Sequence, residues 1–258
     1  MINGNIISLV IPCKNEASSL PKLLKRIPSS IDEVLIIDNN SSDNTKRVAE
    51  KLGATVIVEK RTDNHGIGYG YAHQTGITAA KGSIIVTMDG DGTYPVEQIE
   101  EVVSFMLKNK FDFVSCSRFP LIHGKAISWI RKVGVAVLNA EVRVVHGHPI
   151  KDILSGMWAV KKSAAAKLAV TEGGWNLSPE IKLRAIAHKK VKFAEFHIDH
   201  KYRTSGASKQ QIWRTGFEHL LYILKFKAHS IASNLNYKKR SNTPAARYIE
   251  LASATSLE

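Results

Sequence analysis

The sequence predicts an α/β fold with a doubly wound, mostly parallel sheet, and three observations lead to this class. Short apolar runs rich in β-branched residues alternate with segments of helical spacing four times within residues 1–119. Polar or glycine-containing turns separate the two kinds of segment. The chain has 258 residues, of which 44% are hydrophobic, and this suffices for one large core. Strands and helices that alternate in this way build a parallel sheet with helices on both faces.

The N-terminal half contains five predicted strands and four predicted helices. In chain order the strands are NIISLVIPC, VLII, ATVIVEK, SIIVTMDGDG and FDFVSCSRF. The helices between them are NEASSLPKLLKRIP, NTKRVAEKLG, GYGYAHQTGITAAKG and PVEQIEEVVSFMLKNK. Asp43 is the expected N-cap of the second helix, and Gly53 suits its end. Pro95 falls in the first turn of the fourth helix, where proline is tolerated.

The C-terminal half is less regular. HGKAISWIRKVGVAVLNAEVRVVHG has a largely helical pattern, DILSGMWAVKKSAAAKLA predicts a strand and then a helix, LSPEIKLRAIAHKK predicts another helix, and VKFAEFHIDHKYR alternates as a strand does. Residues 211–231 have one apolar helical face flanked by basic side chains. We therefore expect one domain over residues 1–210, a basic amphipathic helix over 211–240 and a flexible tail over 241–258.

The net charge of +13 predicts anionic partners, which include nucleic acid, phosphorylated ligands and an anionic membrane surface. No helix-turn-helix, zinc-binding or RNA-recognition pattern is present in the sequence, so nucleic acid is not an expected partner. The N-terminus has no signal-peptide pattern, and the apolar stretches are too short to span a bilayer. Cys13 and Cys116 lie in predicted apolar strands, so we expect both to be buried free thiols in a protein of a reducing compartment. A cytoplasmic protein is expected, either soluble or peripheral on the cytoplasmic membrane face.

A pair of acids, Asp89 and Asp91, follows the fourth predicted strand and suggests a hard metal ion. Tyr94 argues against a calcium loop, because it occupies the position where that loop requires glycine. GIGYG argues against a dinucleotide fingerprint, because it lacks the GxGxxG spacing and does not follow the first strand directly. Asp38 ends the second strand as Asp89 ends the fourth, and ligands of such sheets bind beyond the carboxyl ends of the strands. The remaining interpretation is a site where Mg²⁺ or Mn²⁺ joins protein carboxylates to a diphosphate.

Several motifs taken together resemble the family-2 glycosyltransferases of the GT-A fold. They are SLVIPCKNE, VLIIDNNSSDNT, GYGYAHQTGITAAKGSIIVTMDGDGTYPVEQI, CSR, WIRK, KDILSGMWAVKKS and YRTSGASK, in this order. The similarity covers nearly all of residues 5–225 and is greatest to the dolichyl-phosphate mannose and glucose synthases. It implies a Rossmann-like GT-A fold, a nucleotide-sugar donor and a metal-dependent transfer of a hexose.

The resemblance also implies roles for individual residues. The implied sugar-nucleotide residues are Pro12, Asn15, Glu16, Asp38 and Asp89. The implied catalytic and phosphate-handling residues are Asp91, Arg118, Arg131, Arg203 and Lys209. Asp89 and Asp91 would form the D-x-D pair that binds Mg²⁺ or Mn²⁺. Thr93 stands where the mannose synthases have a glutamine in the metal shell, and water can take the place of a third protein ligand.

The expected reaction is an inverting transfer of one hexose, from GDP-mannose or UDP-glucose, to a polyprenyl phosphate of the dolichyl type. The acceptor phosphate is already ionised near neutral pH, so positioning by basic residues matters more than a general base. The basic amphipathic stretch at 211–231 is the segment expected to contact the membrane interface. Asp152 and Ser155, in KDILSG, serve either turn geometry or contact with the acceptor.

Three alternatives stay open at this point. One is a family-2 enzyme that acts on a sugar hydroxyl of a glycan or glycolipid. That reaction needs a carboxylate base, for which Glu180 and Asp152 are the candidates. The second is a sugar-1-phosphate nucleotidyltransferase, although IPCKNEASS lacks the glycine-rich basic loop expected after its first strand. The third is a non-catalytic module that binds nucleotides or polyanions.

Overall fold

Strands and helices alternate along most of the chain in the computed structural model, which describes residues 1–124, 126–203, 208 and 210–241, with side chains described up to residue 230. The strands are β1 (Ile7–Cys13), β2 (Glu33–Asp38), β3 (Thr55–Val58), β4 (Ile84–Thr87), β5 (Phe113–Ser117), β6 (Trp158–Lys161) and β7 (Phe193–His197). The helices are α1 (Leu20–Leu24), α2 (Thr45–Lys51), α3 (Tyr69–Ala79), α4 (Ile99–Lys108), α5 (Trp129–His146), α6 (Lys162–Leu168), α7 (Leu177–Ala187) and α8 (Ile212–Ser241). A 3₁₀ turn, Val96–Gln98, leads into α4.

The strands form one sheet in the order β3-β2-β1-β4-β6-β5-β7. β6 runs antiparallel to its neighbours β4 and β5, whereas the remaining neighbours pair in parallel. The sheet is therefore mostly parallel, and the predicted α/β class with a doubly wound sheet is confirmed. A parallel sheet of this kind is buried on both faces, which explains the nearly continuous apolar runs in its central strands.

The strand register brings several loops to one edge of the sheet, which we call the carboxyl edge. The pairs that define it are Cys13 with Asp38, Thr87 with Trp158, and Ser117 with His197. The residues that follow β1, β2, β4, β5 and β7 all lie at this edge. Because β6 is reversed, the loop that precedes it, residues 152–157, lies there too. The carboxyl edge therefore combines parts of the chain from residue 13 to residue 203.

The core lies on both faces of the sheet. Every residue of β1 is buried, and successive side chains of a strand point to opposite faces. Leu9 and Ile11 pack in the cluster that includes Val102 of α4, whereas Val10 packs in the cluster that includes Ala72 of α3. This two-sided packing fixes β1 and β4 at the centre of the sheet, so the loops at their ends have a rigid base.

α5 and α8 lie side by side and run in the same direction. Near their beginnings, Arg131 Nη2 donates a hydrogen bond to Ser208 Oγ, just before α8, at 2.8 Å. Near the end of α5, the ring nitrogen His146 Nε2 is 3.1 Å from the carbonyl oxygen of Ile223. A third apolar cluster, which includes Leu138, Val142, Ile153, Leu183 and Ile223, packs between them and α7. Among the described residues, no helix has the length and apolar character needed to cross a bilayer.

The start of α2 differs from the prediction. Asn44 occupies the N-cap position and its side chain makes no capping bond, so the assignment of this role to Asp43 was wrong. Asp43 instead accepts the backbone N–H of Thr45 at 2.9 Å and that of Ala17 at 3.2 Å. Its carboxylate joins the loop after β1 to the start of α2, and the helix begins beyond it. The division into a domain, an amphipathic helix and a tail stays a prediction, and residues 242–258 lie outside the described part.

Candidate functional site

Two adjoining cavities open at the carboxyl edge. The smaller, of about 150 Å³, lies over the ends of β1 and β4, and the larger, of about 650 Å³, lies between α5 and α8. The residues that line both are Asp89, Asp91, Arg131, Arg203, Ser208 and Gln210. The predicted acidic pair therefore lies at the junction of the two cavities, together with two arginines. A group bound in one cavity can reach a group bound in the other at this junction.

Asp89 follows β4 and is enclosed by aromatic and glycine residues. The hydroxyl group of Tyr69, at the start of α3, donates a hydrogen bond to Asp89 Oδ1 at 3.1 Å. Gly156 leaves the space for this contact, because a Cβ atom at that position would lie 2.8 Å from the same oxygen. Burial and the neighbouring Asp91 carboxylate raise the pKa of Asp89 to about 7. A cation bound here would relieve the crowding of negative charge.

Asp91 is buried and is bound on both of its oxygens. Thr93 donates to Oδ1 from its backbone N–H at 3.0 Å and from its hydroxyl at 2.7 Å. Arg203 donates to Oδ2 from Nη2 at 2.6 Å and from Nε at 3.2 Å. Burial opposes ionisation, but the Arg203 charge and the Thr93 bonds outweigh it and lower the pKa of Asp91. Thr93 therefore orients the carboxylate at the position where the sequence left its role open.

The acidic pair fits the ligand preference of Mg²⁺ and Mn²⁺. Both prefer oxygen ligands, and Mg²⁺ is usually bound by one or two carboxylates together with water and substrate phosphates. Asp89 and Asp91 supply two carboxylates, and burial together with their mutual repulsion already raises the pKa of Asp89. In the part of the chain that the structure describes, no three His, Cys, Asp or Glu side chains converge as a metal-ligand cluster.

Arg118 follows β5, lines the larger cavity and forms a bidentate ion pair with Asp152. Nε and Nη2 of Arg118 lie 2.6 and 2.8 Å from the two Asp152 oxygens, and the Arg118 backbone N–H also donates to Asp152. Asp152 is fully buried; burial opposes its ionisation, and the Arg118 charge outweighs this and lowers its pKa. Asp152 therefore orients Arg118, and its carboxylate is committed to that bond. It does not belong to the described lining of either cavity.

Glu180 and Ser155 also have structural contacts. Glu180, in the first turn of α7, is fully buried and accepts the backbone N–H groups of Thr171 and Glu172 and the Nε–H of Arg184. Ser155 is fully buried, and its carbonyl oxygen accepts a hydrogen bond from Lys182 Nζ at 2.7 Å. Glu180 fixes the loop before α7, and the Ser155 contact fixes the loop before β6. The described lining of the two cavities contains neither residue.

Arg131 lies in the first turn of α5 and faces both cavities. Burial together with the charges of Arg118 and Arg203 lowers its pKa. All three guanidinium groups belong to the lining of the larger cavity, which is a favourable environment for phosphate oxygens. Lys209, the fourth predicted cation, lies outside the described residues.

The predicted sugar-nucleotide residues at the ends of β1 and β2 are only partly exposed to the smaller cavity. Pro12 and Glu16 line it, and so does Asn39. Asp38, one residue earlier, is buried and accepts the backbone N–H of Ser41 at 3.2 Å. The Asn15 side chain accepts the backbone N–H of Ser42 at 2.7 Å. Asp38 and Asn15 thus shape the loop after β2, and it is Asn39 that lines the cavity there.

Sequence reasoning missed three aromatic residues of the site. Tyr69 and Trp175 line the smaller cavity, with their rings stacked at 4.7 Å between centroids. His200 lines the larger cavity, packs edge-on against Tyr94, and has a buried Nδ1 for which the described residues provide no hydrogen-bond partner. Burial and the Arg118 charge lower the pKa of His200 to about 4, so the ring is neutral near pH 7. Their signals were single aromatic residues beside glycine or aspartate, which are common in loops.

The larger cavity is mainly apolar away from the junction. Its lining includes Ile127, Trp129, Ile130, Val133, Val137, Leu138, Leu154, Ile212, Trp213, Phe217 and Leu220. Several of these side chains are also open to solvent, since Trp129 is 71% exposed, Trp213 79% and Phe217 62%. The cavity is therefore an apolar cleft whose rim carries two exposed tryptophans. Exposed apolar patches of this kind mark sites for lipid, protein or apolar ligands.

Comparison with known proteins places the chain in one family. Residues 8–168 match the model described as Glycosyl transferase family 2. An uncharacterized glycosyltransferase of Mycobacterium tuberculosis is 33% identical over 206 residues, which cover 80% of this chain and 90% of that relative. The dolichol-phosphate mannosyltransferase of Pyrococcus furiosus is 28% identical, over 85% of this chain and 63% of the relative. The undecaprenyl-phosphate 4-deoxy-4-formamido-L-arabinose transferase of Aeromonas hydrophila is 26% identical, over 85% of this chain and 65% of the relative.

Solved structures give the same fold. The glucosyl-3-phosphoglycerate synthase of Mycobacterium tuberculosis, crystallised with Mn²⁺, UDP and glucosyl-3-phosphoglycerate, superposes with a TM-score of 0.62 at 18% identity. The match covers 86% of this chain and 81% of that chain. Another mycobacterial protein gives a TM-score of 0.64 at 16% identity, over 86% of this chain and 75% of that one. The fold shared with these neighbours is the Rossmann-like GT-A fold that the motifs had implied.

Proposed function

The chain belongs to glycosyl transferase family 2, and from this membership we propose that it transfers one hexose, with inversion, from a nucleotide-diphosphate sugar to a polyprenyl phosphate. The donor classes proposed are GDP-mannose and UDP-glucose. The observation that carries the proposal is the pair of cavities that share Asp89, Asp91, Arg131 and Arg203. One cavity has the charged and polar side chains that a nucleotide sugar needs, and the other has the mainly apolar lining that a lipid tail needs.

The arrangement of charges favours a phosphate acceptor. Arg118 lines the larger cavity, whereas Arg131 and Arg203 line both. A polyprenyl phosphate with its tail between α5 and α8 would place its phosphate against Arg118 and Arg131. The diphosphate of the donor would lie against Arg203 on the other side of the junction. Guanidinium groups bind phosphate oxygens through two parallel hydrogen bonds, which fixes the orientation of the phosphate.

The names of the relatives support the same substrate classes. The dolichol-phosphate mannosyltransferase and the undecaprenyl-phosphate transferase are named for polyprenyl phosphate acceptors. The glucosyl-3-phosphoglycerate synthase, which shares the fold, was crystallised with UDP-glucose and Mn²⁺. These proteins support a nucleotide-sugar donor, a lipid phosphate acceptor and a divalent metal for this chain.

In the proposed step an oxygen of the acceptor phosphate attacks the anomeric carbon from the face opposite the nucleotide. The new bond joins that oxygen to the carbon, and the bond from the carbon to the diphosphate breaks. The electron pair leaves with the nucleoside diphosphate, and because the attack comes from the opposite face the configuration inverts. The acceptor oxygen carries no proton near pH 7, and no residue has to remove one. Arg118 and Arg131 position the nucleophile, and Arg203 faces the leaving group.

Asp89 and Asp91 are the residues that would bind Mg²⁺ or Mn²⁺. The cation, when bound, would neutralise negative charge that develops on the departing diphosphate. Tyr69 orients Asp89 and Thr93 orients Asp91, so both carboxylates are fixed before any ligand binds. Arg203 bonds to Asp91 in this structure and would exchange that partner for the donor.

A hydroxyl acceptor is the second candidate, and the contacts of the two possible bases disfavour it. Such a reaction needs a carboxylate that removes the hydroxyl proton. Asp152 is paired with Arg118, and Glu180 accepts hydrogen bonds from the loop before α7. Both are fully buried. A phosphate acceptor requires neither residue as a base, which agrees with their structural contacts.

The test uses two acceptors that differ only in the phosphate. The protein is incubated with Mg²⁺ or Mn²⁺, GDP-mannose or UDP-glucose, and either a polyprenyl phosphate or the matching polyprenyl alcohol. Release of nucleoside diphosphate and formation of lipid-linked sugar are measured. We expect product from the phosphate and none from the alcohol. Product from the alcohol would show that the acceptor phosphate is not required and would overturn the proposed reaction. Nucleotide binding without product from either acceptor would overturn the polyprenyl phosphate as the acceptor.

A further inference from the structure

Trp175 belongs to the short loop between α6 and α7 and lines the smaller cavity together with Tyr69 and Asp89. Its indole ring stacks on the ring of Tyr69, with centroids 4.7 Å apart and planes inclined by 30°. Tyr69 in turn donates its hydroxyl hydrogen bond to Asp89. One face of the indole is therefore covered by Tyr69, and the rest of this half-buried side chain borders the cavity beside the acidic pair.

The loop that carries Trp175 is fixed at several points. Glu180 accepts the backbone N–H groups of Thr171 and Glu172, at 3.0 and 2.8 Å. On the other side, the Gly173 carbonyl accepts the backbone N–H of Tyr71, on α3, at 3.1 Å. The buried carboxylate of Glu180, which the transfer reaction does not use, thus has the role of fixing the loop in place.

Two glycines show how closely this loop packs on α3. A Cβ atom on Gly70 would lie 2.0 Å from the carbonyl oxygen of Glu172. A Cβ atom on Gly173 would lie 2.3 Å from the ring of Tyr71. Contacts below 3 Å are not tolerated by real side chains, so the loop and α3 can approach only because both positions are glycine. Trp175 is consequently presented on a closely packed base, with its ring stacked on that of Tyr69.

The position of Trp175 along the carboxyl edge separates it from the proposed nucleoside end of the donor. Pro12 and Glu16 lie at the end of β1, next to β2. Tyr69 contacts Asp89 at the end of β4, and a Cβ atom on Gly156, just before β6, would lie 2.9 Å from the Tyr69 hydroxyl. A donor with its base near β1 and β2 and its diphosphate at the acidic pair has its sugar on the β4 and β6 side. Trp175 borders that side.

We propose that Trp175 is the surface on which the hexose of the donor packs, and that it determines part of the sugar specificity; this rests on the proposed function. The face of an aromatic ring carries a negative electrostatic potential, which attracts the polarised C–H groups of a sugar face. A rigid aromatic side chain loses little conformational entropy when the ligand binds. Sugars that differ in one axial hydroxyl present different C–H faces, so a flat ring at this position discriminates between them.

The test separates binding of the sugar from binding of the nucleotide. Affinities of GDP-mannose and GDP, and of UDP-glucose and UDP, are measured by calorimetry in the presence of Mn²⁺, for the wild type and for Trp175→Ala and Trp175→Phe. For the preferred donor, we expect Trp175→Ala to weaken binding of the nucleotide sugar about tenfold and to leave binding of the nucleoside diphosphate unchanged. Trp175→Phe keeps an aromatic face and is expected to lose about threefold or less. Circular dichroism melting curves show that the variants are folded.

Leu52→Ala is the control, because Leu52 is an exposed apolar residue at the end of α2 and does not belong to the described lining of either cavity. Its ratio of nucleotide-sugar to nucleotide affinity is expected to equal that of the wild type. Equal loss of both affinities in Trp175→Ala, or no loss of either, would overturn the inference. Wild type that binds the donor but forms no lipid-linked sugar would overturn the proposed function alone, since the affinity ratio still tests Trp175. Wild type that binds neither donor would overturn both.

Discussion

Thr93 donates two hydrogen bonds to one oxygen of Asp91, from its backbone N–H and from its hydroxyl group. At the sequence level this residue was a departure from the glutamine of the mannose synthases, and its role stayed open. Its contacts give it a definite task, which is to fix the orientation of the Asp91 carboxylate. Groups that orient a metal ligand commonly matter almost as much as the ligand itself.

Removal of the Thr93 hydroxyl is expected to weaken the binding of a metal ion by the acidic pair. Thr93→Val keeps the shape and the backbone bond but loses the 2.7 Å hydroxyl bond. We expect catalytic efficiency and apparent Mn²⁺ affinity to fall by about 10- to 100-fold, and Asp91→Asn to abolish turnover. Thr93→Ser retains the hydroxyl and serves as the control, with values near the wild type. Wild-type Mn²⁺ affinity in Thr93→Val would contradict this role.

Asp152 and Glu180 show where prediction from single residues stops. Both are acids in plausible positions, and the sequence could not decide between a base and a structural role. Their structural roles follow from hydrogen-bond and ion-pair partners on other segments of the chain. Arg118, for example, is 34 residues from Asp152. An ion pair of this kind depends on how the strands are paired. The acids Asp89 and Asp91 could be predicted because a strand end and local spacing were enough to place them.

At the scale of elements, α3 packs closely on the sheet through Gly76. A Cβ atom there would lie 2.2 Å from Val10 Cγ1 and 3.1 Å from Ile37 Cγ1, both in the buried core. The segment GYGYAHQTGITAAKG, from which this helix was predicted, is rich in small residues. The close approach of the helix to β1 and β2 is the physical reason for them, and it positions Tyr69 at the start of the helix over the carboxyl edge.

Alanine substitutions at two helical glycines are expected to have opposite effects. Alanine favours a helix over glycine by about 1 kcal/mol, but Gly76→Ala also overpacks the core, which costs about 1–3 kcal/mol. We expect it to lower the free energy of unfolding. Gly134→Ala on α5, where the added atom has nothing within 4 Å, should raise it by up to about 1 kcal/mol. Urea denaturation measures both, and a higher free energy of unfolding in Gly76→Ala would show that the packing at Gly76 is not limiting.

Glu59, directly after β3, provides a pH-dependent contribution to stability. Its carboxylate accepts bonds from the Arg61 guanidinium at 2.7 and 3.0 Å and from the hydroxyl of Thr75 on α3. The Arg61 bonds in particular lower the pKa of Glu59 to about 2 from its ordinary value of 4.5. Because the folded protein favours the ionised form, this stabilisation is fully present above pH 4.5 and is lost as the pH falls towards 2.

Glu59→Gln is expected to lower the free energy of unfolding by about 1.5–3 kcal/mol at pH 7, the usual range for hydrogen bonds to a charged group. The difference from the wild type should shrink between about pH 4.5 and pH 3, as Glu59 of the unfolded wild type becomes protonated. Chemical denaturation at pH 7, 5 and 3 measures this difference in the free energy of unfolding. Asp112→Asn removes a different acid with a lowered pKa and serves as the control. It shows how much of the pH dependence is common to such acids. A difference that stays constant with pH would exclude the Glu59 mechanism.

At the scale of the whole molecule, the N-terminal half was predictable and the assembly of the site was not. Five strands and four helices follow from local apolar patterns, which are clearest in the central strands β1 and β4 because these are buried on both faces. The direction of β6 is decided by long-range pairing with β4 and β5. That direction places residues 152–157 at the carboxyl edge, where Asp152 meets Arg118 and Gly156 meets Asp89. No local pattern carries this information.

The paired helices predict a peripheral contact with membranes. Trp129 and Trp213 are exposed at the rim of the apolar cleft, and the chain carries a net charge of +13. We expect sedimentation with vesicles that contain phosphatidylglycerol, and weaker sedimentation as salt screens the charge. Trp129→Ala combined with Trp213→Ala should reduce binding several-fold at fixed salt, because interfacial aromatic residues are lost.

Leu52→Ala is the control for this experiment, since Leu52 is an exposed apolar residue at the end of α2, away from the cleft. It should bind vesicles as the wild type does. Failure of the wild type to sediment with vesicles at low salt would count against a membrane role. It would leave the transfer reaction to be tested with short, water-soluble polyprenyl phosphates.

The size of the larger cavity has a consequence for how the protein would distinguish acceptors. About 650 Å³ is enough for a ligand of drug-like size, and a full-length polyprenyl tail is much longer than that. Only the isoprene units next to the phosphate would be enclosed between α5 and α8, and the rest would stay in the bilayer. Such a cleft would recognise the isoprene units next to the phosphate and would not distinguish acceptors by the total length of the lipid tail. Polyprenyl phosphates with tails of different lengths, from different organisms, would then be equally good acceptors.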